Sequence, residues 1–216
     1  VRTLYLVANQ LAQPKDILGL TFTRKAATEL GIRVHQGLVK LRESKFWPSD
    51  LPDDFEPAKI TTYNSFGNEI FRSLSLQVGY ESDADLLTEA GAISLAREII
   101  TSAGISQYPA LEAFDKSLDH LVSKVLASAS ELTDNLRSPE EAIEYLDSFG
   151  LQASNLPKTD KPSEGMFAYH QATLNEVSES KLIFELAGEY QRQKKLRGLV
   201  DFSDQVALAL HALDGQ

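Results

Sequence analysis

The stretch Ile17-Leu18-Gly19-Leu20-Thr21-Phe22-Thr23-Arg24-Lys25-Ala26-Ala27 decides how the rest of the chain is read. An apolar run of strand length stops at Thr-Phe-Thr, and two cations and two alanines follow at once. A short, almost unbroken apolar run is the pattern of a strand covered on both faces in a parallel sheet. Gly19 within it predicts close approach of another backbone. Thr23 is a favourable N-cap. Ala26, Leu30, Val34, Leu38 and Leu41, spaced by three and four, predict a helix over 25–42 that buries that face.

The arrangement recurs downstream. Residues 43–57 carry three prolines and many acids and read as a surface loop, with Trp47 beside Pro48 as its anchor. Lys59-Ile60-Thr61-Thr62 is a short β-prone piece. A helix from about Asn64, with Phe66, Ile70, Phe71 and Leu74 on one face, follows it. Upstream, residues 1–12 read as the tail of a helix, broken at Gln13-Pro14-Lys15-Asp16.

From Val78 the character changes to helices over 89–103, 109–133 and 139–148. The last of these starts on Ser138-Pro139-Glu140-Glu141, with proline at the first helical position and acids in the first turn. A loop over 156–165 leads into a long helix over 166–196. That helix ends in Arg192, Lys194, Lys195 and Arg197 before Gly198, cations that complement its dipole and a glycine suited to the C′ position. A final helix begins at Asp201, with Asp204 three residues on as in a capping box. The predicted class is α/β, predominantly helical, with a partial parallel sheet and a helical insertion.

The 216 residues suffice for one domain or two small ones. No cysteine is present, which excludes a disulfide framework and thiolate chemistry and makes a reducing cytoplasm the natural home. No apolar run reaches the roughly 18–20 residues that span a membrane. The start, Val1-Arg2-Thr3-Leu4, reads like the inside of an element and suggests an excised piece of a longer protein. The net charge of −10 is unevenly spread. Residues 1–80 carry 10 Lys and Arg against 8 Asp and Glu, whereas 81–216 carry 11 against 23, so any phosphate contact belongs to the first third.

In an open parallel sheet, ligands bind beyond the carboxyl ends of the strands. There the next helix offers free N–H groups and its positive dipole end to an anion. Thr23, Arg24 and Lys25 stand at such a point, and Phe22 can present a ring to a base. Thr62, Tyr63, Asn64 and Ser65 repeat the logic, with hydroxyls and an amide suited to a sugar-phosphate backbone. Capping and core packing account for the same residues equally simply. His35, His120, His170 and His211 are scattered without metal spacing. Capping explains the Asp201/Asp204 pair, and a favourable helix end explains the cations at 192–197. No Gly-x-x-x-x-Gly-Lys-Ser/Thr loop occurs to cradle a phosphate.

Three segments, in order, resemble the UvrD/Rep-like superfamily-one DNA helicases. ILGLTFTRKAATEL is similar to their motif Ia, usually ILALTFTNKAAxEM. ITTYNSFGNEIFR is similar to motif Ib, often TFHSFxxxILR. EYQRQKKLRGLVDFSDQVALAL resembles the helix and Leu-Asp-Phe-Asp-Asp-Leu segment before the Walker B strand. In this chain Arg24 stands for the usual Asn, Asn64 for the usual His, and Ser203-Asp204-Gln205 for Asp-Asp-Leu.

The resemblance implies that Thr21, Phe22 and Thr23 line a single-strand track, Phe22 against a base, and that Thr62, Asn64 and Ser65 contact the DNA backbone. It implies part of helicase lobe 1A over 1–78, a helical 1B subdomain over 79–180 that faces the DNA fork, and a return to lobe 1A over 181–216. The parent would be an ATP- and Mg2+-dependent 3′-to-5′ DNA helicase of repair or recombination, partnered by its remaining helicase domains. This piece, without Walker A or Walker B, would not hydrolyse ATP. Two other readings stand beside it: an acidic helical protein-interaction module, and part of an AddA- or RecB-like helicase–nuclease subunit.

Overall fold

Two strands that follow the same pattern find each other. In the computed structural model, which describes residues 2–104, 106–155 and 164–214 (backbone only over 164–168), β1 (Leu18–Thr21) pairs in parallel with β2 (Lys59–Thr62). The partners are Leu18 with Lys59, Gly19 with Ile60, Leu20 with Thr61 and Thr21 with Thr62. Helix α2 (Arg24–Arg42) makes the crossover that a parallel pair requires. Helix α1 (Arg2–Ala8) precedes this unit, a 3-10 turn (Pro14–Asp16) leads into β1, and α3 (Tyr63–Leu74) follows β2 directly. The chain divides into two compact units, Val1–Ser73 and Leu74–Gln216.

Three expectations for the first unit are corrected. The strand is not covered on both faces: Leu18 is exposed and the rest of β1 half-buried, because β2 is its one strand partner among the described residues. What crowds Gly19 is a side chain rather than a backbone. A Cβ there would lie 2.6 Å from Ile60 Cδ1, its own register partner. In its first two turns the packed face of α2 falls one residue later than expected, on Ala27 and Gly31, while Val34, Leu38 and Leu41 are packed as expected. Leu30 is exposed and so is Ala26, because Gly31 is the residue that faces Ile60; a Cβ there would lie 3.7 Å from Ile60 Cβ. Trp47 does anchor its loop, donating from its indole nitrogen to Leu51 O at 3.3 Å and packing on Phe55, ring centroids 5.2 Å apart.

The second unit is helical. α4 (Glu89–Ser102), α5 (Leu118–Asp134) and α7 (Glu164–Leu196) pack through Leu95, Ile99, Leu121, Val125, Leu182 and Leu186, all buried, and α6 (Pro139–Ser154) lies along α7, with Pro139 against Gly188. Thr88, Ser117 and Ser138 cap α4, α5 and α6, each accepting a backbone N–H in the first turn, and Glu141 completes a capping box with Ser138. The single helix expected over 109–133 is interrupted: Pro109–Leu111 is a 3-10 turn, and α5 starts afresh where the Ser117 hydroxyl accepts from His120 N. α6 runs six residues beyond the expected 148, since Gly150 sits against Val177 Cγ1 of α7 and this packing offsets its poor helix propensity. The loop expected over 156–165 lies, as far as 163, outside the described residues.

A short parallel pair closes this unit, β3 (Asp85–Leu86) with β4 (Leu199–Val200), between α7 and α8 (Phe202–Asp214). Gly198, at φ +65°, makes the left-handed turn out of α7. Asp201 and Asp204 form the expected reciprocal cap, with Asp204 N donating to Asp201 Oδ1 at 2.9 Å and Asp201 N to Asp204 Oδ2 at 2.8 Å. They also do more than cap. Lys194, only 3% exposed, places its Nζ 2.7 Å from Oδ2 of each.

Burial disfavours the Lys194 charge, yet Asp204 and Asp201 together raise its pKa. Burial also works against Asp201, whose carboxyl is nevertheless held below its usual value by Lys194. Asp204, more deeply buried, is pushed up. Around them, burial pushes the Tyr80 and Tyr190 phenols from 10.0 up to about 12, and Asp204 adds to the shift at Tyr80.

Two outcomes follow from this cluster. Lys194→Ala leaves the buried Asp204 and the half-buried Asp201 without their cation and lowers the unfolding free energy by about 3–5 kcal/mol, read from urea midpoints. The phenols are held neutral, so their contribution is full below pH 10 and is lost as pH rises from 10 to about 12. Tyrosinate absorbance of Tyr80→Phe and Tyr190→Phe variants will each lack part of the step near 12.

Candidate nucleic-acid interface

The site is built at two strand-to-helix corners. β1 and β2 run parallel and end together at the pair Thr21 and Thr62, so the next residues, Phe22 and Tyr63, emerge side by side. Their ring centroids lie 5.1 Å apart with planes inclined by 32°, an aromatic pair within the favourable range. Phe22 is 90% exposed and Tyr63 48%. A large apolar ring open to water is the informative kind of exposure, and here it sits where an α/β sheet offers a ligand its seat.

Beneath the rings, both corners are fixed by hydroxyls. Thr21 Oγ1 donates to Thr23 O at 3.0 Å, and Thr23 Oγ1 accepts from Ala26 N at 3.1 Å, capping α2. Thr62 Oγ1 accepts from Ser65 N at 3.1 Å and donates to Ser65 Oγ at 2.8 Å, capping α3. Thr62 is buried, at 7% exposure, while Tyr63, Asn64 and Ser65 are exposed. On the other corner Thr23, Arg24 and Lys25 are exposed and Thr21 is half-buried. The register therefore brings both predicted groups to one edge of the sheet.

The electrostatics of these corners differ from those of the second unit. α4, α5, α6 and α8 all carry an acid in the first turn, which neutralises the positive dipole end. Neither α2 nor α3 does. α2 instead opens on Arg24 and Lys25, and among the described residues neither cation is held in an ion pair. Two unneutralised helix starts, two free cations and several hydroxyls suit an anion with no fixed geometry, such as a phosphate backbone.

Sequence reading placed every one of these residues but missed the contact between the rings. The signal was present: each short strand is followed at once by an aromatic residue. Only the register turns that coincidence into a contact.

The sequence holds no phosphate-cradling glycine loop. Among the described residues no three His, Asp or Glu side chains converge as metal ligands would, and the space between Asp201 and Asp204 is filled by the Lys194 ammonium. Nor, among the described residues, is any helix long and apolar enough to cross a membrane.

Against known families, residues 1–216 match the UvrD/REP helicase N-terminal domain. No curated protein matches the chain.

Proposed function

The chain belongs to the UvrD/REP helicase N-terminal domain family, and from that premise we propose that its first unit holds single-stranded DNA for an ATP-dependent helicase that moves 3′ to 5′. The observation that carries the reading is the exposed Phe22 ring, standing against Tyr63 beyond two strand ends. A base stacks on Phe22 whatever its identity, since every base has a π-face. The backbone lies over the starts of α2 and α3, where Thr23, Asn64 and Ser65 offer hydrogen bonds and Arg24 and Lys25 offer charge. Thr21 and Thr62 act from below, holding the corners in shape. None of these contacts reads sequence, as a translocating motor requires.

In this reading residues 1–78 and 181–216 belong to the first helicase lobe, and 79–180 form the 1B subdomain that meets the duplex at the fork. ATP and Mg2+ are bound by parts of the parent protein other than these residues, and the isolated chain is inactive as an ATPase. A DNA-repair or recombination setting, the cytoplasm, and kinship with AddA- or RecB-like helicase–nuclease subunits are consistent with it. The acidic surface of 81–216 favours an alternative reading, in which that region binds a basic protein surface in place of the duplex.

The test is equilibrium binding of a fluorescent oligothymidine to the 216-residue chain across a salt series. Phe22→Ala weakens binding about tenfold or more, the loss of one stacking platform. Arg24→Ala with Lys25→Ala reduces the slope of log K against log salt by about 1–2. Binding unchanged by either set would leave the acidic interaction module as the better account.

A further inference from the structure

We infer that Tyr63 is a positioning residue that acts through Phe22, its ring contact limiting the orientations the Phe22 ring takes up before a base stacks on it. This deepens the single-strand reading above and rests on it.

The argument is one of geometry and freedom. A phenylalanine 90% open to water has little to fix its rotamer, and ordering it on binding carries an entropic cost that a preorganised side chain avoids. Among the described residues, Tyr63 is the aromatic neighbour of that ring, at 5.1 Å and 32°. Tyr63 is itself the first residue of α3, immediately after Thr62, whose buried hydroxyl is committed to capping that helix through Ser65. The tyrosine thus stands on a rigid base, whereas Phe22 lies between strand and helix.

The rings meet as a tilted pair, 5.1 Å apart and inclined by 32°, a contact that leaves Phe22 90% exposed and its ring open to a base. The contact needs the ring and not the phenol oxygen, for which no hydrogen bond is found among the described residues.

The experiment is a double-mutant cycle on the full chain with fluorescent oligothymidine as the probe. Tyr63→Leu keeps apolar bulk but loses the ring, and Tyr63→Phe keeps the ring. Circular dichroism and melting confirm that each variant is folded. Tyr63→Leu is expected to weaken binding about three- to tenfold, the range of one aromatic pair, and Tyr63→Phe to bind like the parent chain. Phe22→Ala with Tyr63→Leu should bind no more weakly than Phe22→Ala alone. In the unliganded protein, the Phe22 ring proton resonances should move in Tyr63→Leu and stay in Tyr63→Phe.

If Phe22→Ala weakens binding and Tyr63→Leu does not, the positioning role is wrong and the single-strand reading stands. If the two losses add in full, Tyr63 touches the strand in its own right, and the positioning role is again wrong. If Phe22→Ala itself changes nothing, the single-strand reading has failed, and this inference with it.

Discussion

The parallel register of β1 and β2 is the constraint on which the rest of the first unit depends. Pairing Thr21 with Thr62 ends both strands at the same level and starts both helices side by side. A slip of one residue would turn every side chain of one strand to the other face. It would also part Phe22 from Tyr63. The register is held by Ile60, whose side chain packs against Gly19 on the neighbouring strand and under Gly31 of α2. An apolar contact on one face of a two-stranded sheet thus sets the geometry of polar and aromatic groups at its end.

What could be read from the sequence was local. The caps at Thr23, Ser138 and Asp201 are decided within four residues of themselves, and each stands where the pattern put it. The helices end close to their signals for the same reason, Gly198 being the clearest. What could not be read is non-local. β3 and β4 are two residues each and paired across more than a hundred positions, too short to leave a periodicity. The turn of the α2 face from Leu30 to Gly31 is decided by Ile60, nearly thirty residues away.

Lys194 is the sharpest case. In a run of four cations at a helix end, nothing in the sequence distinguishes it from Lys195, yet it is buried between two carboxylates. Lys195 lies over the Tyr80 ring, 5.9 Å from its centroid, and Arg197 reaches Glu98. The helix-end reading is sound for the run as a whole and says little about any one member. The buried cluster ties the end of α7 to the start of α8 across β4. The two halves of the molecule accordingly use charge in opposite ways. The second unit places an acid in the first turn of α4, α5, α6 and α8, whereas in the first unit α2 and α3 carry none there and, among the described residues, Arg24 and Lys25 are in no ion pair.

The central claim, that single-stranded DNA lies across the two strand ends, is tested most directly by photo-crosslinking. A single strand carrying 5-iododeoxyuridine would be irradiated with the chain and the adducts located by mass spectrometry. The account predicts that they fall on Phe22 and Tyr63, on peptides spanning the two corners. Adducts confined to the helices of the second unit, with the corners unmodified, would contradict it.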